Sequence, residues 1–286
     1  MSKTGRSLMF DPRDFDACYP DLHFRCTHDI CDDPLLQIES LLELCGRLPA
    51  SSIEYNAGNL PINQDPGRTP GNGLTPQETI ARIRDNKSWL VLKYIEQDPA
   101  YAGLLHDLLD PVIARAAKTT PGIDKLEGYI FVSSPGSVTP FHVDNEHNFL
   151  LQIRGSKTMF AWPRDDRSII SEEALELYHS GGHRNLPYDE AFGSSVTAHV
   201  LMPGEGVFQP VTAPHWVQNG DDVSISLSVT FRSESSVREA ELYRLNRRLR
   251  TIGITPAPIG AMATRDQAKY FVARAERLGR RLLRLG

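Results

Sequence analysis

The chain has 286 residues, of which 40% are hydrophobic, and its 31 Lys and Arg against 36 Asp and Glu give a formal net charge of −5. This length allows one large domain with appendages or two domains. A mildly acidic chain has no overall attraction for nucleic acid or an anionic membrane. No segment approaches the roughly 18 apolar residues that a membrane-spanning helix needs, and no apolar stretch typical of a secretory signal follows the N-terminus. These features favour a soluble, cytoplasmic enzyme.

The first 120 residues read mainly as helices and loops. Pro34 and the Thr75-Pro76 pair suit the first turn of a helix, and hydrophobic periodicity follows Pro34. Residues 59–75 are rich in Pro, Gly and Asn, which predicts a long loop. We therefore expect residues 1–120 to be a helical and loop segment that buttresses one face of a barrel. Its helices are predicted over about residues 34–48, 75–86 and 99–118.

Four cysteines fall within the first 45 residues: Cys18, Cys26, Cys31 and Cys45. In a chain of this size without a visible secretion signal, they are expected to be reduced thiols. A zinc site built from His23, Cys26, His28 and Cys31 is an alternative. Their spacing lacks the CxxC pair of common zinc knuckles, so ordinary loop and helix cysteines are the favoured interpretation.

Residues 121–234 predict β-structure. Residues 148–153 and 157–163 read as two strands on either side of an Arg154-Gly155-Ser156 turn. The stretch Val223–Phe231 alternates strictly, with serines and Thr230 opposite the apolar residues. In a small barrel, one of those two faces lines the interior. The apolar face consists of Val223, Ile225, Leu227, Val229 and Phe231.

His142-Val143-Asp144 and the more distant His215 are the candidate metal ligands. Residues i and i+2 of an extended strand point to the same side, so His142 and Asp144 can reach one ion while Val143 packs away from it. A third ligand, His215, would come from another strand. Two imidazoles and one carboxylate are typical of non-heme Fe(II) oxygenases, because they leave open positions on the metal. The alternatives are a surface strand pair and a core histidine. His147 is out of phase with the ligands and is predicted to lie at the pocket rim.

Residues 126–232 resemble the JmjC or cupin-like Fe(II)- and 2-oxoglutarate-dependent oxygenases, and most nearly the factor-inhibiting-HIF type of asparaginyl hydroxylase. The shared pattern is Thr139-Pro140-Phe141-His142-Val143-Asp144, then Asn148 six residues and Lys157 fifteen residues after His142. A polar residue, Thr230, follows His215 by fifteen positions, where the family often has Asn. The resemblance implies a mainly β fold with helices, a double-stranded β-helix or jelly-roll barrel.

The resemblance also implies roles for the shared residues. His142, Asp144 and His215 would hold Fe(II). Thr139 and Lys157 would bind the distal carboxylate of 2-oxoglutarate, with Asn148 and Thr230 in support. The residue types suit this chemistry, because the distal carboxylate of a chelated 2-oxo acid needs a cation inside the barrel. The alternative for Lys157 is a solvated strand lysine, the usual environment of that residue.

Two further segments flank or interrupt the predicted barrel. Residues 163–195, here called the insert, form a long and mostly polar connection that would either cover the site or decorate the surface. Residues 235–286 predict two helices, about 235–250 and 263–284, rich in Lys and Arg. The second carries an apolar stripe. We expect these helices to pack as a homodimer interface rather than to bind nucleic acid. The stripe consists of Phe271, Ala275, Leu278, Leu282 and Leu285.

The sequence therefore predicts a 2-oxoglutarate-dependent dioxygenase that hydroxylates a protein side chain or a small metabolite. Its expected ligands are Fe(II), 2-oxoglutarate, dioxygen and that substrate. One alternative is a cupin-type metal enzyme that does not use 2-oxoglutarate. The other is a non-catalytic binding or regulatory module that keeps the barrel without its chemistry.

Overall fold

The computed structural model describes residues 5–283. Within them, twelve β-strands build two antiparallel sheets. The larger sheet contains eight strands: β1 (Leu8–Met9), β2 (Phe24–His28), β3 (Ile53–Ala57), β4 (Ser88–Lys93), β5 (Asp124–Ser133), β7 (His147–Arg154), β10 (Glu205–Gln209) and β12 (Ser224–Arg232). Their spatial order is β1-β2-β10-β7-β12-β5-β4-β3.

The smaller sheet contains β6 (Val138–His142), β8 (Lys157–Ala161), β9 (Thr197–Leu201) and β11 (His215–Asn219), in the order β6-β11-β8-β9. Side chains of both sheets meet in one apolar cluster, so the sheets pack face to face as a sandwich. The members of this cluster are Leu150, Met159, Ala161, Leu201, Val207 and Val217.

Chain reversals carry the chain from one sheet to the other. The turn between β7 and β8 falls at Gly155, whose φ of 67° is a left-handed conformation that favours glycine. A Cβ there would also collide with the carbonyl of Val223. The predicted strand, turn and strand are thus present. Because β7 belongs to the larger sheet and β8 to the smaller one, the turn is a corner of the sandwich rather than a flat hairpin.

The alternation predicted in β12 is confirmed by what its two faces contact, although both faces are buried. Val223, Ile225, Leu227, Val229 and Phe231 all lie in the large apolar core on the outer face of the larger sheet. The serines of this strand point to the space between the sheets, where Ser228 lines a cavity. The strand therefore contributes its apolar face to the core and its polar face to the interior.

Seven helices surround the sheets within the described residues. Pro76 begins its helix behind Thr75, which forms the N-terminal cap as expected. The buried faces of α2 and α4 complete the outer core, and α5 packs on α6. The helices are α1 (Pro12–Cys18), α2 (Ile38–Arg47), α3 (Pro76–Ala81), α4 (Pro99–Ala116), α5 (Glu172–His179), α6 (Glu234–Thr251) and α7 (Ala263–Leu283).

The description of residues 1–120 as helices and loops was incomplete. This segment also supplies β1, β2, β3 and β4, which extend both ends of the larger sheet. It therefore contributes backbone pairing to the sheet as well as helical packing. The predicted domain boundaries at 120/121 and 234/235 stay a prediction. Among residues 5–283, no helix has the length and apolar character needed to cross a membrane.

Candidate metal and cosubstrate site

Pairing of β6 with β11 brings the two candidate histidines together. His142 lies directly opposite His215 in the antiparallel register, and a bulge follows His215. Their ring centroids are 4.0 Å apart. Because directly opposed residues project from the same face of a sheet, both imidazoles enter the space between the two sheets. Strand β8 pairs with the other edge of β11 and holds it in place.

Asp144 follows β6 and joins the histidines. Its Oδ2 lies 3.5 Å from Nε2 of His142 and 3.7 Å from Nε2 of His215. One candidate ligand atom from each of the three residues lies within 4.8 Å of the others, and residues 5–283 contain no other such group of three or more. Val143 between the ligands is fully buried in a separate apolar cluster, as the strand geometry predicted.

Backbone hydrogen bonds fix the orientation of both imidazoles. Nδ1 of His142 lies 2.7 Å from the carbonyl oxygen of Pro140, and Nδ1 of His215 lies 3.1 Å from that of Ala213. An Nδ1–H that donates to a carbonyl leaves the lone pair on Nε2, the atom that faces Asp144. Burial, followed by the charge of His142, lowers the pKa of His215 well below its ordinary value. The neutral imidazole, which is the metal-binding form, is favoured.

The Asp144 carboxylate is held by Arg184 through one of its two oxygens. Arg184 Nη1 donates to its Oδ1 at 2.9 Å, whereas Oδ2 faces the histidines. Burial alone would raise the pKa of Asp144, but the charges of Arg184 and His142 lower it below its ordinary value. The carboxylate is therefore ionised and available as a ligand. Its backbone is also fixed, since the amide of Thr212 donates to the Asp144 carbonyl at 2.7 Å.

Beside the three ligands lies a small cavity of about 40 Å3, here called the inner cavity. It contains three of the four residues expected to bind the cosubstrate: Thr139, Asn148 and Lys157. Two further polar residues, Gln209 and Ser228, also line it, and no sequence motif predicted a role for either. The remaining lining residues are Phe131, His142, Asp144, Leu150, Arg184, His215 and Val217.

Lys157 is a buried cation without a carboxylate partner. Lys157 is 5% exposed, and its Nζ donates to the hydroxyl of Ser226 at 2.6 Å. None of the ion pairs among the described residues includes Lys157. Burial lowers the pKa of Lys157 to about 7. Nearby, the buried Oδ1 of Asn148 has no hydrogen-bond partner. Because uncompensated buried polar groups are costly, both side chains indicate a ligand between the sheets.

A larger cavity of about 270 Å3, the outer cavity, adjoins the inner one and shares Asp144, Asn148 and Arg184 with it. Three tyrosines stand in its wall: Tyr94, Tyr129 and Tyr178. Its charged groups are paired: Glu54 with Lys93, Asp144 with Arg184, and Glu146 with Arg232 behind the wall. The other lining residues are Val91, Phe131, Ser228 and Thr230.

Thr230 is not brought to the inner cavity. It lines the outer cavity, and its hydroxyl donates to the carbonyl of Glu127 at 3.1 Å.

The prediction for His147 was wrong. It lies 2% exposed in the core, with Nε2 3.0 Å from the Ser233 hydroxyl and its ring stacked on Phe231. Both faces of β7 are buried, so a residue out of phase with Asn148 enters the apolar core instead of reaching the rim.

The insert reaches the metal ligands directly, through a segment that sequence reasoning did not single out. Its residues 184–186 run along β6: the amide of Val143 donates to the Arg184 carbonyl, and the amide of Leu186 donates to the Phe141 carbonyl. Asn185 forms a bridge with His142.

The N-terminal residues His23, Cys26, His28 and Cys31 form no metal-ligating group of three in the described part of the chain. All four cysteines are free thiols, as predicted.

No family model matches the sequence, and no curated protein is significantly similar to it in sequence. Similarity appears in the fold. Two structures of YcfD, a ribosomal oxygenase from Escherichia coli, superpose with TM-scores of 0.51 at 15% sequence identity. Each comparison covers 95% of this chain, and 67% or 68% of the YcfD chain.

The chain shares its fold with YcfD. This finding confirms the predicted jelly-roll fold class, and at the level of the fold it confirms the resemblance that the sequence motifs indicate. The shared fold extends well beyond the motif region, because each superposition covers 95% of this chain.

Proposed function

We propose that the protein is an Fe(II)- and 2-oxoglutarate-dependent oxygenase that hydroxylates a protein side chain. The observation that carries this proposal is that a candidate metal site and a candidate anion site lie side by side. Three metal-ligating side chains converge on one point, and a buried lysine without an anionic partner lies in the adjoining cavity. A divalent metal would bind the three ligands, and a dicarboxylate would pair with the lysine.

The donor set fits iron. Two neutral imidazoles and one carboxylate would hold Fe(II) through Nε2 of His142, Nε2 of His215 and Oδ2 of Asp144. Such a ligand set leaves coordination positions for a chelating cosubstrate and dioxygen. When bound, iron would activate dioxygen, which is the oxidant: one oxygen atom would oxidise 2-oxoglutarate to succinate and carbon dioxide, and the other would be available to hydroxylate the substrate.

The inner cavity fits the cosubstrate. Lys157 would bind its distal carboxylate, assisted by the hydroxyls of Ser226 and Thr139. Asn148, whose Oδ1 has no partner, lies between the inner and outer cavities and would support the bound cosubstrate. Thr230 is at most an indirect contributor, because its hydroxyl already donates to the backbone.

The outer cavity is the proposed place for the substrate. It adjoins Asp144 on the side away from Lys157, and its aromatic wall can exclude water from a reacting side chain. The fold shared with a ribosomal oxygenase supports a protein substrate. A small metabolite is the second possibility that the sequence left open.

We also propose a homodimer formed through the C-terminal helices. Phe271 and Val272 on α7 are 62% and 56% exposed, and Ile252 after α6 is 72% exposed. Phe271 and Ala275 of the predicted stripe are exposed, whereas Leu285 and the side chains of Leu278 and Leu282 lie outside the described residues. Light scattering of the wild type and of Phe271→Asp tests this proposal, with a dimer expected only for the wild type.

A cytoplasmic location also stays a proposal.

Anaerobic calorimetric titration of 2-oxoglutarate into Mn(II)-loaded protein tests the main proposal. We expect binding that requires the metal, followed in air by succinate formation with Fe(II). The titration is repeated without metal and with succinate as ligand. If the metal-loaded wild type does not bind 2-oxoglutarate, the proposal fails in favour of a metal enzyme that does not use it, or of a non-catalytic module.

A further inference from the structure

Arg184 and Asp144 form an ion pair that divides the two oxygens of the carboxylate. Arg184 Nη1 donates to Oδ1 at 2.9 Å. The other oxygen, Oδ2, is the one within 3.7 Å of Nε2 of both histidines. We propose that Arg184 is a positioning residue that occupies Oδ1 and thereby presents Asp144 to the metal through Oδ2 alone. This inference rests on the proposed metal site.

The backbone around Arg184 fixes its position relative to the ligand. The Arg184 carbonyl accepts from the amide of Val143, the residue that precedes Asp144. One residue later, Asn185 bridges to His142, and its side-chain amide donates to the carbonyl of Gln64. The peptide group that follows the arginine is therefore bonded to Val143, between the two candidate ligands, and the next side chain is bonded to a neighbouring loop. The guanidinium starts from an ordered backbone and loses little further freedom when it binds Asp144.

This setting distinguishes the pair from an ordinary surface salt bridge. Exposed pairs usually contribute little to stability, because both side chains must be ordered in water. Here Asp144 is 22% exposed, and Arg184 lies against the inner and outer cavities. Groups that hydrogen-bond to a metal ligand orient it, and their loss typically costs about 10–100-fold in metal affinity or activity.

Two effects of Arg184 on a bound cation oppose each other. A guanidinium beside the site repels a divalent ion, which weakens binding. Orientation of the carboxylate strengthens binding. Arg184 is partly open to water, where charge repulsion is screened, whereas its hydrogen bond to Oδ1 is direct. We therefore expect orientation to dominate. A one-oxygen carboxylate also leaves one more coordination position free than a two-oxygen carboxylate would.

The test measures Mn(II) affinity by the electron paramagnetic resonance signal of free Mn(II), without substrate or turnover. Arg184→Met removes the donors but keeps the apolar stem of the side chain. Arg184→Ala also leaves space that added guanidinium can enter. Lys93→Met is the matched control, because Lys93 also lines the outer cavity and forms an ion pair, but with Glu54 instead of a candidate ligand. Circular dichroism verifies that each variant is folded.

We expect both Arg184 variants to bind Mn(II) at least about tenfold more weakly than the wild type. Lys93→Met should stay within about twofold. Millimolar guanidinium should restore binding in Arg184→Ala and leave the wild type unchanged. The visible spectrum of the Co(II)-loaded Arg184→Met variant should shift, because a carboxylate that gains a second metal contact changes the coordination number.

Wild-type affinity in both Arg184 variants would overturn the inference. So would an equal loss in Lys93→Met, or a loss in Arg184→Ala that guanidinium does not reverse, because these results indicate a general charge or packing effect. Failure of the wild type to bind Mn(II) would overturn the proposed metal site itself. The role of Arg184 and the proposed function can therefore fail separately.

Discussion

The inner and outer cavities adjoin, but they differ in whether the lysine in their wall is paired with a carboxylate. In the inner cavity, Lys157 is buried and has no carboxylate partner among the described residues. In the outer cavity, Lys93 is paired with Glu54 at 3.3 Å, and its side chain is 26% exposed. A buried cation without an anion requires one from a ligand, whereas paired charges require nothing further. The inner cavity is therefore suited to an anionic cosubstrate, and the outer cavity to a ligand recognised by shape and hydrogen bonds.

Loss of a metal ligand should have the largest effect on this arrangement. Asp144→Ala removes the carboxylate and leaves the charge of Arg184 next to the histidines. We expect Mn(II) affinity to fall by more than about 100-fold, and metal-dependent 2-oxoglutarate binding to disappear with it. Calorimetry measures both. His106→Ala, which changes an exposed histidine on α4, should bind the metal as the wild type does. Unchanged metal binding by Asp144→Ala would place the metal elsewhere.

Substitution of Lys157 and of Lys93 should affect cosubstrate binding very differently. Lys157→Met should weaken 2-oxoglutarate binding by at least about 150-fold while Mn(II) affinity changes little, because truncating one partner of a buried charge pair typically costs about 3–5 kcal/mol. Lys93→Met should change 2-oxoglutarate affinity by less than about threefold. Titration into the two Mn(II)-loaded variants distinguishes them. Equal losses in both variants would mean that the contrast between the cavities has no role in cosubstrate binding.

The lowered pKa of Lys157 predicts a pH dependence of stability for the ligand-free protein. Between pH about 7 and pH about 10, the folded lysine is largely neutral and the unfolded lysine is protonated. The unfolded state binds more protons there, so the contribution of this group to the free energy of unfolding rises with pH, by up to about 1.4 kcal/mol per pH unit. Below pH 7 both states are protonated and the contribution no longer changes.

Urea denaturation across this range measures the effect, with Lys157→Met as the reference that lacks this group. The wild type minus variant difference should rise with pH. A bound dicarboxylate favours the protonated lysine, so 2-oxoglutarate binding should take up a proton above pH 7 and weaken as the pH rises. A difference that stays flat from pH 7 to 9 would show that Lys157 keeps an ordinary pKa in the folded protein.

The smallest effects are expected for two polar residues, Asn148 on β7 and Thr230 on β12, which lie opposite each other in the paired strands. Asn148→Ala should weaken 2-oxoglutarate binding by about threefold to tenfold, as expected for one hydrogen bond. Thr230→Val should leave that affinity within about twofold, because its hydroxyl donates to Glu127 instead. Parallel titrations compare the two. If Thr230→Val is the more damaging variant, Thr230 belongs with the inner cavity after all.

Local sequence was sufficient where one strand or turn decides the structure. The alternation from Val223 to Phe231, the turn at Gly155 and the i, i+2 spacing of His142 and Asp144 all appear as predicted. Periodicity reports which face of an element is apolar, and that information lies within a few residues. It fails when apolar residues lie on both faces of a strand, as for β7 with His147, and when strands are very short, as for β1.

Residue types and their spacing along the chain were enough to predict the candidate metal ligands, the jelly-roll class and the lysine that lies in the inner cavity. They did not predict that His215 pairs directly with His142, that Thr230 faces the outer cavity, or that Arg184 reaches Asp144, which the folded chain shows. Arg184 lies forty residues beyond Asp144, in an insert whose sequence has no distinguishing pattern. Contacts between such distant residues depend on how strands from separate parts of the chain pair, and no local periodicity encodes that register.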